Sequence, residues 1–347
     1  MNRVYLDWNA TAPLRPEARA AMLAAMDLVG NPSSVHAEGR AAKGLIEKAR
    51  RQVAAAAGCE PQDVIFTSGA TEAAALALAG RGLASSGIEH DAVAAWGEET
   101  LGVDERGRAA VRDPGKTTLQ LANSETGVIQ DLPDGLALTD ATQGFGKIPF
   151  AFGWSGADMA LVSAHKLGGP KGVGALLVRG GQEVAARIPG GGQEQGRRAG
   201  TENLIGITGF GAAAEAAQRD IAAGKWDRVA YLRNILEKRI AESENETIFV
   251  GKDANRLPNT SCFITPGWKG ETQVMVMDLA GFAVSAGSAC SSGKVSASRT
   301  LGAMGFGEME AASALRLSLG PETTEDEVLR FTQAWAREND KRRARSR

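Results

Sequence analysis

The apolar segment Met159-Ala160-Leu161-Val162 runs straight into Ser163-Ala164-His165-Lys166 and then into Leu167-Gly168-Gly169-Pro170-Lys171-Gly172. That turn is too rich in glycine and proline to continue a strand. The fold must therefore deliver a lysine from the end of a buried strand, where desolvation disfavours the ammonium form. An amine so placed suits Schiff-base formation with an aldehyde. Taken alone, the run also fits a surface lysine in a polar turn, and the rest of the chain has to decide between the two.

Helical and strand-like patterns alternate along the 347 residues. Periodicity predicts helices over 17–28, 41–57, 72–79, 203–223, 228–242 and 324–338. It predicts strands over 64–67, 117–122, 136–139, 159–162, 175–178, 248–250, 261–264 and 315–319. Such alternation is the pattern of an α/β fold with a mainly parallel sheet. The segment 81–116 has little periodicity and receives no assignment, and no internal repeat is present.

A formal net charge of −2 gives no electrostatic pull toward nucleic acid or membrane, so neither is expected as a partner. The longest apolar run, 73–79, is alanine-rich, helical in character and far short of a membrane span. The start, Met1-Asn2-Arg3-Val4-Tyr5-Leu6-Asp7, has no signal-peptide core. Cys59, Cys262 and Cys290 are odd in number and far apart, which points to free thiols in a reducing cytoplasm. With three histidines and no paired-cysteine or His-Glu-x-x-His spacing, no metal site is expected. The basic end, 341–347, reads as a frayed, solvated terminus.

Val64-Ile65-Phe66-Thr67 followed by Ser68-Gly69-Ala70-Thr71-Glu72 reads as strand, tight turn and helix start. Gly69 admits close backbone approach, and the amides of Ala70 and Thr71 face outward at the positive end of a helix dipole. This is the construction of a phosphate cradle, though an ordinary capping box uses the same residues. Asp140, in Asp140-Ala141-Thr142-Gln143, follows an apolar strand and so stands where open α/β sheets bind ligands. It suits a protonated pyridine nitrogen there, or else an N-cap. With Lys166, these features point to pyridoxal 5'-phosphate. Cys290, in Ser285-Ala286-Gly287-Ser288-Ala289-Cys290-Ser291-Ser292-Gly293, is flanked by small residues and reads as an exposed, reactive thiol. Cys262 reads as a core residue and Cys59 as incidental.

In order, the chain carries the phosphate cradle, Asn123-Ser124-Glu125-Thr126-Gly127, Asp140-Ala141-Thr142-Gln143 and Ser163-Ala164-His165-Lys166. The glycine-rich stretch ending Arg198-Ala199-Gly200-Thr201 and the Cys290 segment follow. This series resembles the cysteine desulfurases, members of the class-V aminotransferase family with the fold-type I architecture. The resemblance runs from Tyr5-Leu6-Asp7-Trp8-Asn9-Ala10-Thr11 to Arg316-Leu317-Ser318-Leu319-Gly320. It implies a large cofactor-binding domain over 15–250, and a small domain formed by 1–14 with 251–347 that carries the cysteine loop.

The resemblance also implies roles for individual residues. Lys166 would be the lysine that holds the cofactor aldehyde, and Ala70, Thr71, Ser163 and His165 would hold its phosphate. Thr201 would reach the phosphate in a neighbouring subunit, which implies a homodimer. Asp140 would pair with the pyridine nitrogen, Gln143 with the phenolate oxygen, and His90 would stack on the ring. Arg316 and Asn31 would bind the substrate carboxylate. Cys290 would take sulfur from L-cysteine as a persulfide, releasing L-alanine, for a sulfur-acceptor or iron–sulfur scaffold protein. The stretch after Cys290 is similar to the extended loop of the branch serving iron–sulfur assembly. Two other readings stay open: a selenocysteine lyase or another class-V lyase, and a cofactor-binding scaffold with reduced activity.

The chain departs from the family pattern in two ways. Ser124 stands where a second asparagine normally contacts the cofactor. The stretches from His90 to Asn123 and from Val128 to Asp140 are short, so a helix or strand pair of the large domain is expected to be missing.

Overall fold

The computed structural model describes residues 3–180, 182–287 and 297–345. Its central sheet sets Val64–Thr67 beside Gly174–Val178, then Met159–Ser163, then Thr139–Asp140. Gly174–Val178 is antiparallel to both neighbours, while Thr139–Asp140 is parallel to Met159–Ser163. Single parallel bridges, Thr118 to Leu138 and Ala84 to Thr117, carry the sheet outward. Ala84–Ser86 then pairs in parallel with Glu98–Leu101. The sheet is therefore mainly parallel, as the alternation predicts, with one strand reversed.

Its central strands read as unbroken apolar runs because helices cover both faces. On one face, Ala160, Val162, Ala175 and Leu177 pack with Ile46, Val53, Phe210 and Ala214 from the helices Ala37–Ala57 and Leu204–Ala222. On the other, Leu161, Leu176 and Val178 meet Ala73, Ala74 and Ala77 of the helix Ala70–Leu78. The first two helices approach closely because Gly211 has no side chain: a Cβ there would lie 2.6 Å from the Cα of Ala49.

A second, antiparallel sheet orders Ser285–Ala286, Ala314–Ser318, Thr260–Ile264 and Ile248–Phe249. Its core joins Phe263, Leu315 and Leu317 to Phe331 and Trp335 of the helix Glu325–Arg345 and to Val4 and Leu6. Trp226, Val229, Leu232, Leu236 and Ile240 of the helix Lys225–Ser243 also lie in this core. A boundary at 250 assigns that helix to the large domain, but packing groups it with the second sheet. The apolar stripe of an amphipathic helix does not reveal which of two cores it will cover.

Three other readings are corrected. Helix Gly270–Leu279 has no counterpart in the sequence reading because only Gly270, Gln273 and Met277 are buried, too little apolar surface to set a period. The span 117–122 is held by isolated bridges and is not a continuous strand. The basic end does not fray at 341, since the helix Glu325–Arg345 runs on as far as Arg345. Arg343 Nη1 lies 3.1 Å from the buried Glu244 carboxylate, and the Arg342 guanidinium lies 5.7 Å from the Trp268 ring centre. These two partners supply what a free tail lacks.

Candidate functional site

A cleft of roughly 550 Å³ opens at the carboxyl ends of Val64–Thr67, Met159–Ser163 and Thr139–Asp140. After the first of these strands the chain turns through Ser68 and Gly69, and the helix starts at Ala70. Ala70 and Thr71 line the cleft, so the unpaired first amides of that helix border it. Glu72 accepts from the Ser68 amide at 2.8 Å and pairs with Arg198 at 2.8 Å, which ties down the turn. Gly174 makes the crossing possible: a Cβ there would fall 2.8 Å from Gly69 Cα.

After the second strand, Ser163, His165 and Lys166 all line the cleft. His165 Nδ1 lies 3.2 Å from Thr11 Oγ1. Burial, then the charges of Lys166, Lys171 and Lys147, push the imidazole down to about 4. At neutral pH it is uncharged and offers a hydrogen bond without a second positive charge. Lys166 is half-buried, and its Nζ donates to the carbonyls of Asn9 at 2.6 Å and Ala10 at 3.0 Å.

The third strand ends on Asp140, whose Oδ1 accepts the Thr142 amide at 2.9 Å. The structure thus joins the two sequence readings of Asp140, since it borders the cleft and also ties its own turn. Gln143 is buried along the same wall, and its Nε2 donates to the Asn9 carbonyl at 3.0 Å. His90 lines the cleft from the start of the short helix Asp91–Ala94, where its Nδ1 accepts the Ala92 amide at 3.1 Å. Ser124 completes the wall.

Other predicted residues stand apart. Arg316 is 1% exposed; its Nη2 bonds Asp7 Oδ1 at 2.7 Å, Nη1 bonds the Ser124 carbonyl at 3.1 Å, and Nε meets no partner among the described residues. Asn31 is exposed and its Oδ1 accepts the Ser33 amide at 2.9 Å, near a second hollow bordered by Pro32 and Ser33. Thr201 lines a small neighbouring pocket that shares Ser68 and Gly172 with the cleft. Cys290 lies outside the described residues. Burial pushes the thiols of Cys59 and Cys262 up to about 12, so neither is a ready thiolate.

Sequence reasoning missed the residues beneath the cleft. Asn9 is sealed, and its Nδ2 donates to the Ser124 carbonyl at 3.1 Å and to Thr260 Oγ1 at 2.9 Å. Its Oδ1 accepts from Asn259 at 3.0 Å and from Lys147 Nζ at 2.8 Å, and its amide donates to Ser318 Oγ at 2.9 Å. It therefore bonds residues of both sheets' surroundings. Behind His90, Glu89 is enclosed; burial and then the Asp140 charge raise its carboxyl to about 8. Glu125 is held by Ser298 Oγ at 2.5 Å, and burial raises it to about 7.

The class-V aminotransferase family model matches residues 4–96 and 113–331. The chain belongs to that family. It is 39% identical to a cysteine desulfurase of Gluconacetobacter diazotrophicus, over 94% of this chain and 91% of the relative. A solved NifS-like protein of Rickettsia africae superposes with a TM-score of 0.88 at 31% identity, over 98% of this chain and 100% of that one. A structure described as SspA in complex with cysteine gives a TM-score of 0.76 at 28% identity, over 92% and 100% of the two chains.

Class-V aminotransferases are pyridoxal 5'-phosphate enzymes, and the cleft has the donors this cofactor needs. Helix amides, Ser163 and a neutral His165 suit a phosphate, Asp140 suits a ring nitrogen, and an amine stands between them in the strand order. The family match breaks over 97–112, within the stretch that is short in this chain. Among the described residues that stretch holds the strand Glu98–Leu101 and no helix longer than Asp91–Ala94, yet His90 still borders the cleft.

Proposed function

We propose that this cysteine desulfurase moves sulfur from L-cysteine to Cys290, releases L-alanine, and passes the sulfur to an acceptor protein. The observation that carries this reading is the meeting of Lys166, Asp140 and the Ala70 helix start in one cleft. Bound pyridoxal 5'-phosphate supplies an electron sink for the bonds at the substrate Cα.

Ala70, Thr71, Ser163 and His165 bind the phosphate. Asp140 would keep a proton on the ring nitrogen, Gln143 would donate to the phenolate oxygen, and His90 would stack on the ring. Lys166 Nζ would tether the aldehyde, and the same amine would take the substrate Cα proton. Arg316 would hold the substrate carboxylate, with Asn31, which stands beside the second hollow, assigned to it by the family resemblance alone. The Cys290 thiolate then attacks the substrate sulfur: an S–S bond forms, the substrate C–S bond breaks, and its electron pair leaves with the carbon fragment that becomes alanine. Thr201 serves the phosphate of a second subunit in a homodimer, in a reducing cytoplasm where thiols stay free. The cofactor belongs to the large domain, 15–250, and Cys290 to the small domain, 1–14 with 251–347, and the persulfide supplies iron–sulfur assembly or thiolation.

Holoenzyme incubated with L-cysteine tests this. Alanine and a persulfide on the Cys290 peptide should form in equal amounts, and Cys290→Ser should abolish both while cysteine still perturbs the cofactor spectrum. Persulfide found mainly on Cys59 or Cys262 would overturn the assignment.

A further inference from the structure

Lys147 is among the most deeply buried side chains, 2% exposed. Among the described residues its Nζ meets two acceptors, Asn9 Oδ1 at 2.8 Å and Gln143 Oε1 at 2.7 Å, both neutral amide oxygens. A buried lysine without a carboxylate is costly to keep, and burial together with the charges of Lys166 and Arg316 pushes its pKa well down. Its contacts bear directly on how the cleft wall is polarised.

The two ends of a carboxamide have nearly the same shape, so hydrogen-bond partners decide which end faces which way. Lys147 Nζ donates to the Gln143 oxygen, which leaves Nε2 on the other side. The Asn9 carbonyl only accepts, and it takes Gln143 Nε2 at 3.0 Å. Turning the amide over would give up the Lys147 bond to Oε1 and set acceptor against acceptor at Asn9. One Nε2 hydrogen remains, on a residue that lines the cleft.

We infer that Lys147 is a positioning residue: it locks the Gln143 amide so that the wall can only donate at this point, and so selects an anionic oxygen on the bound ring. This inference rests on the proposed contact between Gln143 and the cofactor's phenolate oxygen. The shared partner Asn9 also accepts from Lys166 Nζ, so the wall and the tethering amine are set by one backbone carbonyl.

The test is a double-mutant cycle on the holoenzyme, with the pH midpoint of the visible cofactor band as readout. Losing a donor to the phenolate should raise the midpoint by about one unit, the size implied by a single hydrogen bond to a charged group. K147M should therefore raise the midpoint in the wild-type background and leave it unmoved in a Q143L background. An equal shift in both backgrounds would mean that Lys147 acts through its charge, and would overturn the inference. A shift with Q143L but none with K147M would overturn it alone, leaving the Gln143 contact standing. No shift with Q143L would remove that contact and the inference with it. K147Q keeps a donor in the sealed site and covers the case in which K147M does not fold. Its midpoint should stay closer to wild type than that of Q143L, and a shift as large as that of Q143L would also count as failure.

Discussion

Asp7 grips Arg316 through a 2.7 Å contact from Nη2 to Oδ1, in a place where only 2% of the arginine side chain meets solvent. A guanidinium fixed this way keeps its planar fork oriented before substrate arrives. Arg316→Ala should raise the KM for cysteine by ~10–100-fold, a charged hydrogen-bonded pair being worth roughly 1.5–3 kcal/mol. Cofactor content should stay near wild type. Steady-state kinetics beside cofactor absorbance decide the matter, and an unchanged KM removes Arg316 from substrate binding.

Lys166→Ala should abolish turnover, with ~10²–10⁴-fold lost from proton transfer alone. The fold should persist, because the Ala10 carbonyl borders the cleft and the Asn9 carbonyl keeps its bond from Gln143 Nε2. Alanine production and thermal melting measure the two halves of this expectation. Wild-type turnover in the variant would refute the assignment.

Glu89 carries a pH signature. Its carboxyl stands at about 8 in the fold, raised first by burial and then by Asp140, against about 4.3 for an unfolded chain. Its contribution to stability is therefore full at acidic pH and declines as pH climbs through about 8. Glu89→Gln keeps an acceptor for the Gln120 amide, bonded at 2.7 Å, and removes the ionisation. Without cofactor, the variant should gain on wild type between pH 5 and 8, at about 1.4 kcal/mol per pKa unit. Urea midpoints at both pH values report it, and a pH-independent difference would contradict it.

Ser124→Asn restores the longer amide at a residue that lines the cleft. The Ser124 carbonyl is held by Asn9 and Arg316, each at 3.1 Å, so the backbone should not move. One added neutral hydrogen bond predicts ~2–10-fold slower cofactor loss. Cofactor dissociation followed by fluorescence gives the answer, and an unchanged rate means the side chain does not reach the ring.

The sequence carried most of the frame. Runs such as 64–67, 159–162 and 175–178 are apolar without a break because helices cover both faces, and the turns after them hold the chemistry. Ala70, Asp140 and Lys166 were legible because each sits just past such a run. Lys147 was not: within Gly144-Phe145-Gly146-Lys147 it looks like a surface lysine, and its burial is decided by Asn9, far away in the chain. Its one local signal was the four-residue step from Gln143. The pairing of Asp7 with Arg316 was equally hidden, since nothing near either residue announces the other. Tertiary contact alone converts these polar side chains into a wired floor.

The position of Asn9 has a consequence for biosynthesis. It is translated 250 to 309 residues before its partners Asn259, Thr260 and Ser318. The residue whose carbonyl receives Lys166 and Gln143 thus lacks these three contacts until the second sheet has been made, however early the central strands associate. A nascent chain can assemble its central sheet long before it owns a cofactor pocket, and a chain stalled before residue 259 would remain an apo-protein with an unfinished floor.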